Sequence, residues 1–210
     1  MNQNPNELRT VRPYQIFARV AAPANRREIA IKLPQRKDLP LLETALLIAA
    51  MKSAGARRIF EFGTYLGATT LNLALNAPED GEVYTFDLPR GIQIDQHPED
   101  APLTEEHFAV QAEFIGSPVE HKIKVLAGNS LTEELSRFYP MDFVFIDGGH
   151  DLATVTADTR NALRMLRPGG CIAWHDYKNY RYPDLTAYLE SLPQKPVAVG
   201  DTMLAFWFDE

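Results

Sequence analysis

Short apolar segments typical of β-strands alternate with helical segments along most of the chain, and this alternation constrains the fold more than any other feature. The strand segments are "RRIFEF", "EVYTFD", "KIKVLAG", "DFVFID" and "CIAWHD", with helical segments such as "TYLGATTLNLALN" and "LATVTADTRNALRML" between them. The final segments, "KPVAVG" and "TMLAFWF", meet at a Gly-Asp pair, which predicts a hairpin. The order predicts an α/β domain whose mostly parallel sheet has helices on both faces.

The 210 residues are enough for one such domain with an extension. Residues 1–38 are polar and contain four prolines, so we expect an N-terminal arm lying over a domain of residues 39–210. A sharper interpretation makes the arm a lid or a dimer contact. Because an arm alone has few ways to bury Tyr14, Ile16 and Phe17, we predict a homodimer.

Composition and charge exclude several classes of protein. The net charge is −7, which argues against nucleic-acid binding through a basic surface. No segment is long and apolar enough to span a bilayer, and the first residues lack the apolar core of a signal peptide. The single cysteine, Cys171, cannot form a disulfide within the chain. We therefore expect a cytoplasmic protein without membrane or nucleic-acid partners.

Three segments outside the strands carry specific expectations. Residues 88–103 are irregular and contain three prolines, and a connection of this length is typical of a functional loop. A helix is predicted over 104–116. Another is predicted over 152–166 with Asp151 as its N-cap.

In parallel sheets, ligands bind beyond the carboxyl ends of the strands. After the first strand, "EFGTYLGATT" places Gly63 and Gly67 in a turn where the backbone can approach a ligand closely. The spacing is not the Gly-x-Gly-x-x-Gly that packs a pyrophosphate against a helix. After the second strand comes Asp87, 24 residues past Gly63, where an acidic side chain can accept hydrogen bonds from ribose hydroxyls. This order of features favours ribose binding over a solvated loop aspartate.

The third strand is followed by "GNS". Asn129 can both donate to and accept from the edge of an adenine ring. The next residues, "SLTE", predict a capping box in which Ser130 is the N-cap and Glu133 reaches back. Both roles are compatible, because a cap would hold Asn129 at a fixed angle.

Five motifs in this order, "EFGTYLGATT", "TFD", "AGNS", "FIDGGHD" and "LRPGGCIAWHDY", resemble the class I S-adenosylmethionine-dependent methyltransferases. More narrowly, they resemble the small-molecule O-methyltransferase branch with catechol-type and macrolide-sugar-type enzymes. The resemblance covers about residues 40–210. It implies a Rossmann-like three-layer sandwich with a mostly parallel seven-stranded sheet and an antiparallel last strand. It also implies S-adenosylmethionine as cofactor and the hydroxyl of a sugar, phenol or secondary metabolite as acceptor.

The resemblance also implies which residues bind the cofactor. Glu61, Gly63 and Gly67 correspond to residues around its methionine part, and Asp87 to the residue that binds ribose. Many relatives have Asp where Asn129 stands. The complete implied set is Glu61, Gly63, Thr64, Gly67, Thr69, Asp87, Asn129, Ser130 and Asp147.

In the family fold the first, fourth and fifth strands are neighbours, so Asp147 is expected beside His175 and Asp176. Catechol-type and macrolide-type relatives hold a divalent cation there, which implies these three residues as metal ligands. Magnesium prefers oxygen ligands, whereas a histidine suits manganese, iron or zinc better. The predicted catalytic residues are Asp147, His150 and His175, with either histidine as the general base for the acceptor hydroxyl.

Two alternatives remain open at this point. A nicotinamide-dependent oxidoreductase would share the fold, but the missing Gly-x-Gly-x-x-Gly counts against it. A non-catalytic nucleoside-binding protein would keep the cavity, but it would not need the "DGGHD" and "HDY" clusters.

Overall fold

The structure is a computed structural model that describes residues 5–19, 28–34, 38–89, 97–98, 100, 102 and 111–209. Its strands are β1 (Thr10–Val11), β2 (Arg58–Phe62), β3 (Glu82–Asp87), β4 (Ile123–Ala127), β5 (Met141–Ile146), β6 (Leu166–Trp174), β7 (Val197–Val199) and β8 (Ala205–Phe208). Its α-helices are α1 (Pro13–Arg19), α2 (Leu41–Ser53), α3 (Ala68–Asn76), α4 (Leu152–Met165) and α5 (Pro183–Ser191). Short 3-10 helices cover Glu120–Lys122 and Ser136–Phe138.

The described strands form a single sheet in the order β1-β7-β8-β6-β5-β2-β3-β4. Only β8 is antiparallel to its neighbours in this sheet, so the predicted mostly parallel sheet, antiparallel last strand and terminal hairpin are confirmed. All seven predicted strands are present. The eighth strand, β1, comes from the N-terminal arm and pairs with β7 at the sheet edge.

The two faces of the sheet bury separate hydrophobic cores, as alternating side chains of β5 illustrate. Phe143 and Phe145 pack in one core, which also contains residues of α2 and α3. Val144 and Ile146 point the other way, into a core shared with α4 and α5. A strand covered on both faces must be apolar throughout, which explains the continuous run in "FVFI".

Helix α4 begins as predicted and ends earlier. The Asp151 side chain accepts a hydrogen bond from the Thr154 N–H (2.9 Å), so the predicted N-cap is confirmed. The helix ends at Met165 because the next residue already has extended backbone angles. Strand β6 therefore begins at Leu166 and includes the "RPGG" that precedes the apolar segment "CIAWHD". Its pairing with β5 shifts register between Met141 and Phe143.

The capping box predicted at Ser130 is wrong. Asn129 takes the capping position instead: its Oδ1 accepts from the Leu131 N–H (2.9 Å), and Glu133 Oε1 accepts from the Asn129 N–H (3.2 Å). A turn and the 3-10 helix at Ser136–Phe138 follow, where the capping box predicted an α-helix. The asparagine competes for the same backbone groups one residue earlier, since short amide side chains bond readily to nearby backbone.

The helix predicted over 104–116 lies mostly outside the described residues. Its described part, residues 111–116, is a loop with turns, so the helical prediction is wrong there. This segment bonds to a distant part of the chain instead. The Glu113 N–H donates to the Leu66 carbonyl in the glycine-rich turn (2.8 Å), rather than to a carbonyl of its own segment as in a helix.

The described part of the arm contributes to the cores of the domain. Leu8 joins one core, while Val11 and Ile16 join the other. Whether residue 38 is a domain boundary stays a prediction. No helix in the described ranges has the length and apolar character needed to cross a membrane.

Candidate active site

The turn after β2 passes unusually close to the end of β5. Gly63 has a positive φ of 91°, and its N–H donates to the Phe86 carbonyl (2.9 Å). A Cβ added at Gly63 would lie 2.1 Å from the carbonyl oxygen of Asp147. Glycine is therefore required both by the backbone angle and by the neighbouring strand.

Asp87 at the end of β3 holds this turn in place. Its Oδ2 accepts from the N–H groups of Thr64 (2.9 Å) and Tyr65 (3.0 Å), and its Oδ1 accepts from the Leu88 N–H (2.8 Å). Two backbone donors of the turn are thus satisfied by one carboxylate oxygen. The predicted contact with ribose stays a prediction.

A cavity of about 800 Å³, including its open mouth, lies beyond the carboxyl ends of β2 to β5. Five of the nine predicted cofactor-binding residues line it: Gly63, Asp87, Asn129, Ser130 and Asp147. The wall also includes Asp100, His150 and Asp158, together with the rings of Phe62 and Phe86.

Glu61, Thr64, Gly67 and Thr69 do not appear in this wall. Glu61 is 1% exposed and sits behind the turn, where Thr70 and Thr85 donate their hydroxyls to its Oε2, the latter at 2.7 Å. Burial raises the pKa of Glu61 to about 8, although the two threonine hydroxyls partly offset the rise. The side chain therefore fixes β2 against β3 as a largely neutral acid. Its predicted cofactor role stays a prediction.

The structure brings together the three residues predicted as metal ligands. Asp147 follows β5, while His175 and Asp176 follow β6, and these strands are neighbours. His175 Nδ1 lies 3.2 Å from Asp147 Oδ1 and 3.1 Å from Asp176 Oδ2. Asp176 has a positive φ of 62°, an uncommon angle for a non-glycine residue that often marks functional sites.

His150 connects this cluster to the loop predicted over 88–103. Its Nδ1 lies 2.7 Å from Asp100 Oδ1, its Nε2 lies 2.8 Å from Asp176 Oδ2, and its backbone N–H donates to Asp100 Oδ2 (2.9 Å). Its ring stacks on Tyr182 at 4.1 Å. Burial lowers the pKa of His150, but Asp100 and Asp176 more than offset this and raise it to about 10.

His175 is held by an acidic side chain from α2 that the sequence did not single out. Its Nε2 lies 3.0 Å from Glu43 Oε2, and Glu43 Oε1 accepts from the Met203 N–H (2.7 Å). Burial alone would lower the pKa of His175, but Asp147, Asp176 and Glu43 raise it well above its usual range. For Asp176, burial opposes ionisation, yet both histidines hold its pKa well below the usual range.

These directions bear on the predicted general base. An imidazole with a raised pKa keeps its proton at neutral pH, so in this arrangement His150 and His175 are donors to carboxylates. Either one becomes an acceptor only when another cation balances those carboxylates. Their role as bases stays a prediction.

The cluster has the donor set for a divalent cation. One ligand atom each from Asp147, His175 and Asp176 lies within 4.8 Å of the other two. Two oxygens and an imidazole nitrogen suit manganese, iron or zinc better than magnesium, which prefers oxygen ligands. Glu43 on the far nitrogen of His175 resembles the outer carboxylates that fix the tautomer of metal-binding histidines.

Sequence reasoning missed Glu43, Asp100 and Asp158. Glu43 is the single acid within the apolar helix segment "LLETALLIAAM", and Asp158 lies three residues after the core residue Val155 on the buried side of α4. An acid on the apolar face of a helix was the available signal for both. Asp100 had no local signal beyond lying in the long loop.

The sheet order, the glycine turn beneath Asp87 and the cavity at the strand ends define a Rossmann-like α/β domain with a ligand-sized cavity at the carboxyl ends of its strands. A comparison with protein families makes the assignment narrower. Residues 60–177, more than half of the chain, match the family described as "Methyltransferase domain" (Methyltransf_24), and the chain belongs to this family.

Individual relatives share at most about a third of their residues with this chain in the comparisons that follow. Catechol O-methyltransferase domain-containing protein 1 of Mus musculus is 30% identical over 70% of this chain and 52% of its own length. Caffeoyl-CoA O-methyltransferase 2 of Zea mays is 27% identical over 63% of this chain and 46% of its own. The chain thus spans about half the length of these curated relatives. The solved O-methyltransferase from Bacillus cereus in complex with SAH is 18% identical, with a TM-score of 0.56 over 99% of this chain and 91% of its own, which shows a shared fold.

Proposed function

We propose that this protein transfers the methyl group of S-adenosylmethionine to a hydroxyl group of a small molecule. The charge of the cavity is the observation that carries the proposal. Four aspartates line it against one histidine, His150, and its wall, as far as the chain is described, includes no lysine or arginine. S-adenosylmethionine carries a sulfonium and an ammonium group against a single carboxylate, so its net charge is positive and an acidic cavity attracts it.

The same charges argue against a nicotinamide-dependent oxidoreductase. A dinucleotide brings a doubly negative pyrophosphate, which normally binds at a glycine-rich helix start or beside basic groups. The acidic wall repels that group. A non-catalytic nucleoside-binding protein is disfavoured for another reason, since it has no use for the converging side chains of Asp147, His150, His175 and Asp176.

The relatives support a hydroxyl acceptor. The maize and Bacillus cereus proteins are named O-methyltransferases, and the mouse protein is named for a catechol O-methyltransferase domain. The Bacillus cereus structure is a complex with SAH. Because this chain covers only about half of the curated relatives, their acceptors are not carried over to it. We propose a small-molecule acceptor and leave its class at sugar, phenol or secondary metabolite.

Transfer is an in-line displacement in which the acceptor oxygen attacks the sulfonium methyl group, and the carbon–sulfur bond breaks to release S-adenosylhomocysteine. Asp87, Asn129 and Ser130 are proposed to hold the nucleoside, which fixes the direction of the methyl group. Asp147, His150 and His175 are proposed at the reacting end to orient the acceptor. With a cation bound, His150 takes the acceptor's proton, and without one either histidine can serve as the base.

We also propose that Asp147, His175 and Asp176 hold a divalent cation. A bound cation lowers the pKa of a coordinated hydroxyl and aligns neighbouring oxygens of the acceptor. Glu43 then keeps Nε2 of His175 protonated, so that Nδ1 presents its lone pair to the site.

The remaining parts of the proposal concern the environment of the protein. We propose a cytoplasmic protein that binds neither nucleic acid nor membrane. The homodimer stays a prediction, and two of the three residues on which it rested are accounted for within the chain. Ile16 is already buried within its own chain and Phe17 packs against the same core, so Tyr14, at 68% exposed, is the remaining reason.

A methyl-transfer assay tests the function. Purified protein is incubated with S-adenosylmethionine labelled in its methyl group and a panel of catechols, phenols and sugars, with magnesium or manganese and with EDTA. We expect labelled product from at least one hydroxyl acceptor, abolished by EDTA and restored by the ion. Transfer that EDTA leaves unchanged would remove the cation and keep the function, whereas transfer to amines alone would contradict the hydroxyl acceptor.

A further inference from the structure

Asp158 is a buried acidic group in the cavity that the proposed chemistry does not use. It lies on α4, is 2% exposed, and forms part of the cavity wall next to Ser130 and Gly148. A Cβ added at Gly148 would come within 3.1 Å of Asp158 Oδ2, so the glycine makes room for this carboxyl.

One oxygen of this carboxyl is unpaired. Within the described residues, Asp158 Oδ1 has no hydrogen-bond partner, while the Ser130 hydroxyl bonds to the carboxyl group. Buried polar atoms without a partner are uncommon in native proteins and call for an explanation. A ligand donor in the cavity would satisfy this oxygen.

The charges around Asp158 favour a donor from a ligand over a protein cation. The nearest acidic groups are Asp151, at the start of the same helix, and Asp87, at the end of β3, and no lysine or arginine belongs to the described cavity wall. Burial raises the pKa of Asp158 to about 7, with further increases from Asp151 and Asp87, whereas Ser130 lowers it. At pH 8 the carboxyl is therefore mainly ionised, and of its two oxygens Oδ1 is the one left without a partner within the described residues.

The position of Asp158 indicates which part of a nucleoside ligand it meets. The carboxyl ends of β5, β2, β3 and β4 stand side by side in that order, about 4.8 Å apart per strand. If the transferred group lies at Asp147 and the ribose at Asp87, the base lies toward β4, beside Asn129 and Ser130. Phe62 and Phe86 give this part of the wall the apolar surface that a base ring needs.

We infer that Asp158 Oδ1 accepts a hydrogen bond from the exocyclic amine of the cofactor's base and thereby selects an amino-purine over an oxo-purine. This inference rests on the proposed function. A 6-oxo group in place of the amine sets two acceptors against each other. Leaving a buried group unpaired in this way produces strong discrimination between otherwise similar ligands.

The experiment compares two ligands that differ only at this position: S-adenosylhomocysteine and its deaminated analogue, S-inosylhomocysteine. Their dissociation constants are measured by calorimetry at pH 8 for the wild type, Asp158→Ala, Asp158→Asn and the control Asp184→Asn. Asp184 is an exposed residue of α5, so the control makes the same change away from the cavity.

The wild type and the control should bind the adenosyl ligand at least tenfold more tightly than the inosyl ligand. Asp158→Ala should weaken the adenosyl ligand about tenfold or more, the worth of a hydrogen bond to a charged group. It should leave the inosyl ligand within about threefold, so the ratio approaches one. Asp158→Asn keeps the shape of the side chain, and its amide can present either an acceptor oxygen or a donor nitrogen to the ligand. The ratio of the two dissociation constants should therefore also fall.

Three results have distinct meanings. A wild type that binds neither ligand contradicts the proposed function itself. A wild type that prefers the adenosyl ligand, with the same preference in Asp158→Asn and Asp158→Ala, overturns the inference and keeps the function. Equal weakening of both ligands in the variants makes Asp158 a part of the wall without a role in base selection, and also overturns it.

Discussion

At the end of β3, Asp87 bonds to the backbone N–H groups of a turn, whereas at the ends of β5 and β6, Asp147 and Asp176 face histidine side chains. Asp87 and Asp147 both line the main cavity, and both regions are acidic. The first is held by hydrogen bonds whose donors cannot lose their protons. The second is held by ion pairs whose strength depends on which groups are charged.

We infer that the difference separates binding from chemistry within one site. Backbone N–H groups, whose protons do not titrate, hold the turn at Gly63 and Thr64 against Asp87. The pairs among Asp147, His150, His175 and Asp176 can exchange partners when a cation or an acceptor enters. We therefore expect substitutions near Asp87 to change affinity and substitutions near Asp176 to change the rate of transfer.

The largest effect is expected from Asp176→Asn. Asp176 lies outside the wall of the main cavity but contacts both histidines, so transfer should fall at least about a hundredfold, as when an acid–base or metal group is removed. Affinity for S-adenosylhomocysteine should stay within about twofold. Initial rates and calorimetry on the same preparation measure the two quantities, with Asp184→Asn as the matched control.

Asp147→Asn should show a similar loss of rate, and because Asp147 also lines the cavity, some loss of affinity. Full activity in both asparagine variants would leave "FIDGGHD" as a structural turn and remove the distinction between the two regions.

Gly63→Ala should cost about 3–5 kcal/mol of unfolding free energy, because its Cβ would lie 2.1 Å from the Asp147 carbonyl and its φ is 91°. Gly55→Ala is the matched control. Gly55 also has a positive φ, 61°, but a Cβ there meets nothing within 4 Å, so only the cost of the backbone angle, about 1–2 kcal/mol, should appear. Denaturant unfolding measures both free energies. Equal costs would argue against the close approach between the turn at Gly63 and the carbonyl of Asp147.

The stability of the wild type should depend on pH through Glu61. Since burial raises the pKa of Glu61 from 4.5 to about 8, the folded state keeps a proton that the unfolded state releases above about pH 4.5. This contribution to stability is complete below pH 4.5 and is lost as the pH rises to about 8. Glu61→Gln does not titrate and should escape this loss.

Between pH 5 and pH 8 the wild type should therefore lose on the order of 3 kcal/mol relative to Glu61→Gln, at about 1.4 kcal/mol per pKa unit. Unfolding free energies of both proteins across this range provide the measurement. If unfolding free energy depended on pH in the same way in both proteins, Glu61 would be ionised in the folded protein, with its carboxylate stabilised by the two threonine hydroxyls.

The smallest effect is expected from Asp87→Ala, which should weaken S-adenosylhomocysteine by about 1.5–3 kcal/mol, the worth of hydrogen bonds to a charged group. Asp87→Asn keeps an oxygen that can accept from Thr64 and Tyr65. Calorimetry on both variants separates the shape of the turn from the contact with ribose. An unchanged affinity in the alanine variant would remove Asp87 from the binding site.

The sequence predicted the elements whose signals are local and repeated. The continuous apolar run ending at Asp147 and the cap at Asp151 both appear as expected, because strand burial and helix capping depend on adjacent residues. It failed where two residues compete for the same backbone groups. At "NSLTE", Asn129 rather than Ser130 bonds to the backbone, and propensity alone does not decide between them.

Long-range partners account for the rest. Nothing near Glu43 in the sequence indicates that a helix over 130 residues away from His175 would supply its hydrogen-bond acceptor. Asp100 likewise reaches His150 from 50 residues earlier in the chain. Such pairs follow from long-range packing, which local patterns do not encode.

The central claim is that the acidic cavity selects S-adenosylmethionine and its product over a dinucleotide. Calorimetric titration of the wild type with S-adenosylhomocysteine, and in parallel with NADH at the same concentrations, tests it most directly. We predict saturable binding of one S-adenosylhomocysteine per chain and no binding heat with NADH. Saturable binding of NADH, or a folded protein that gives no heat with S-adenosylhomocysteine at millimolar concentration, would contradict the account.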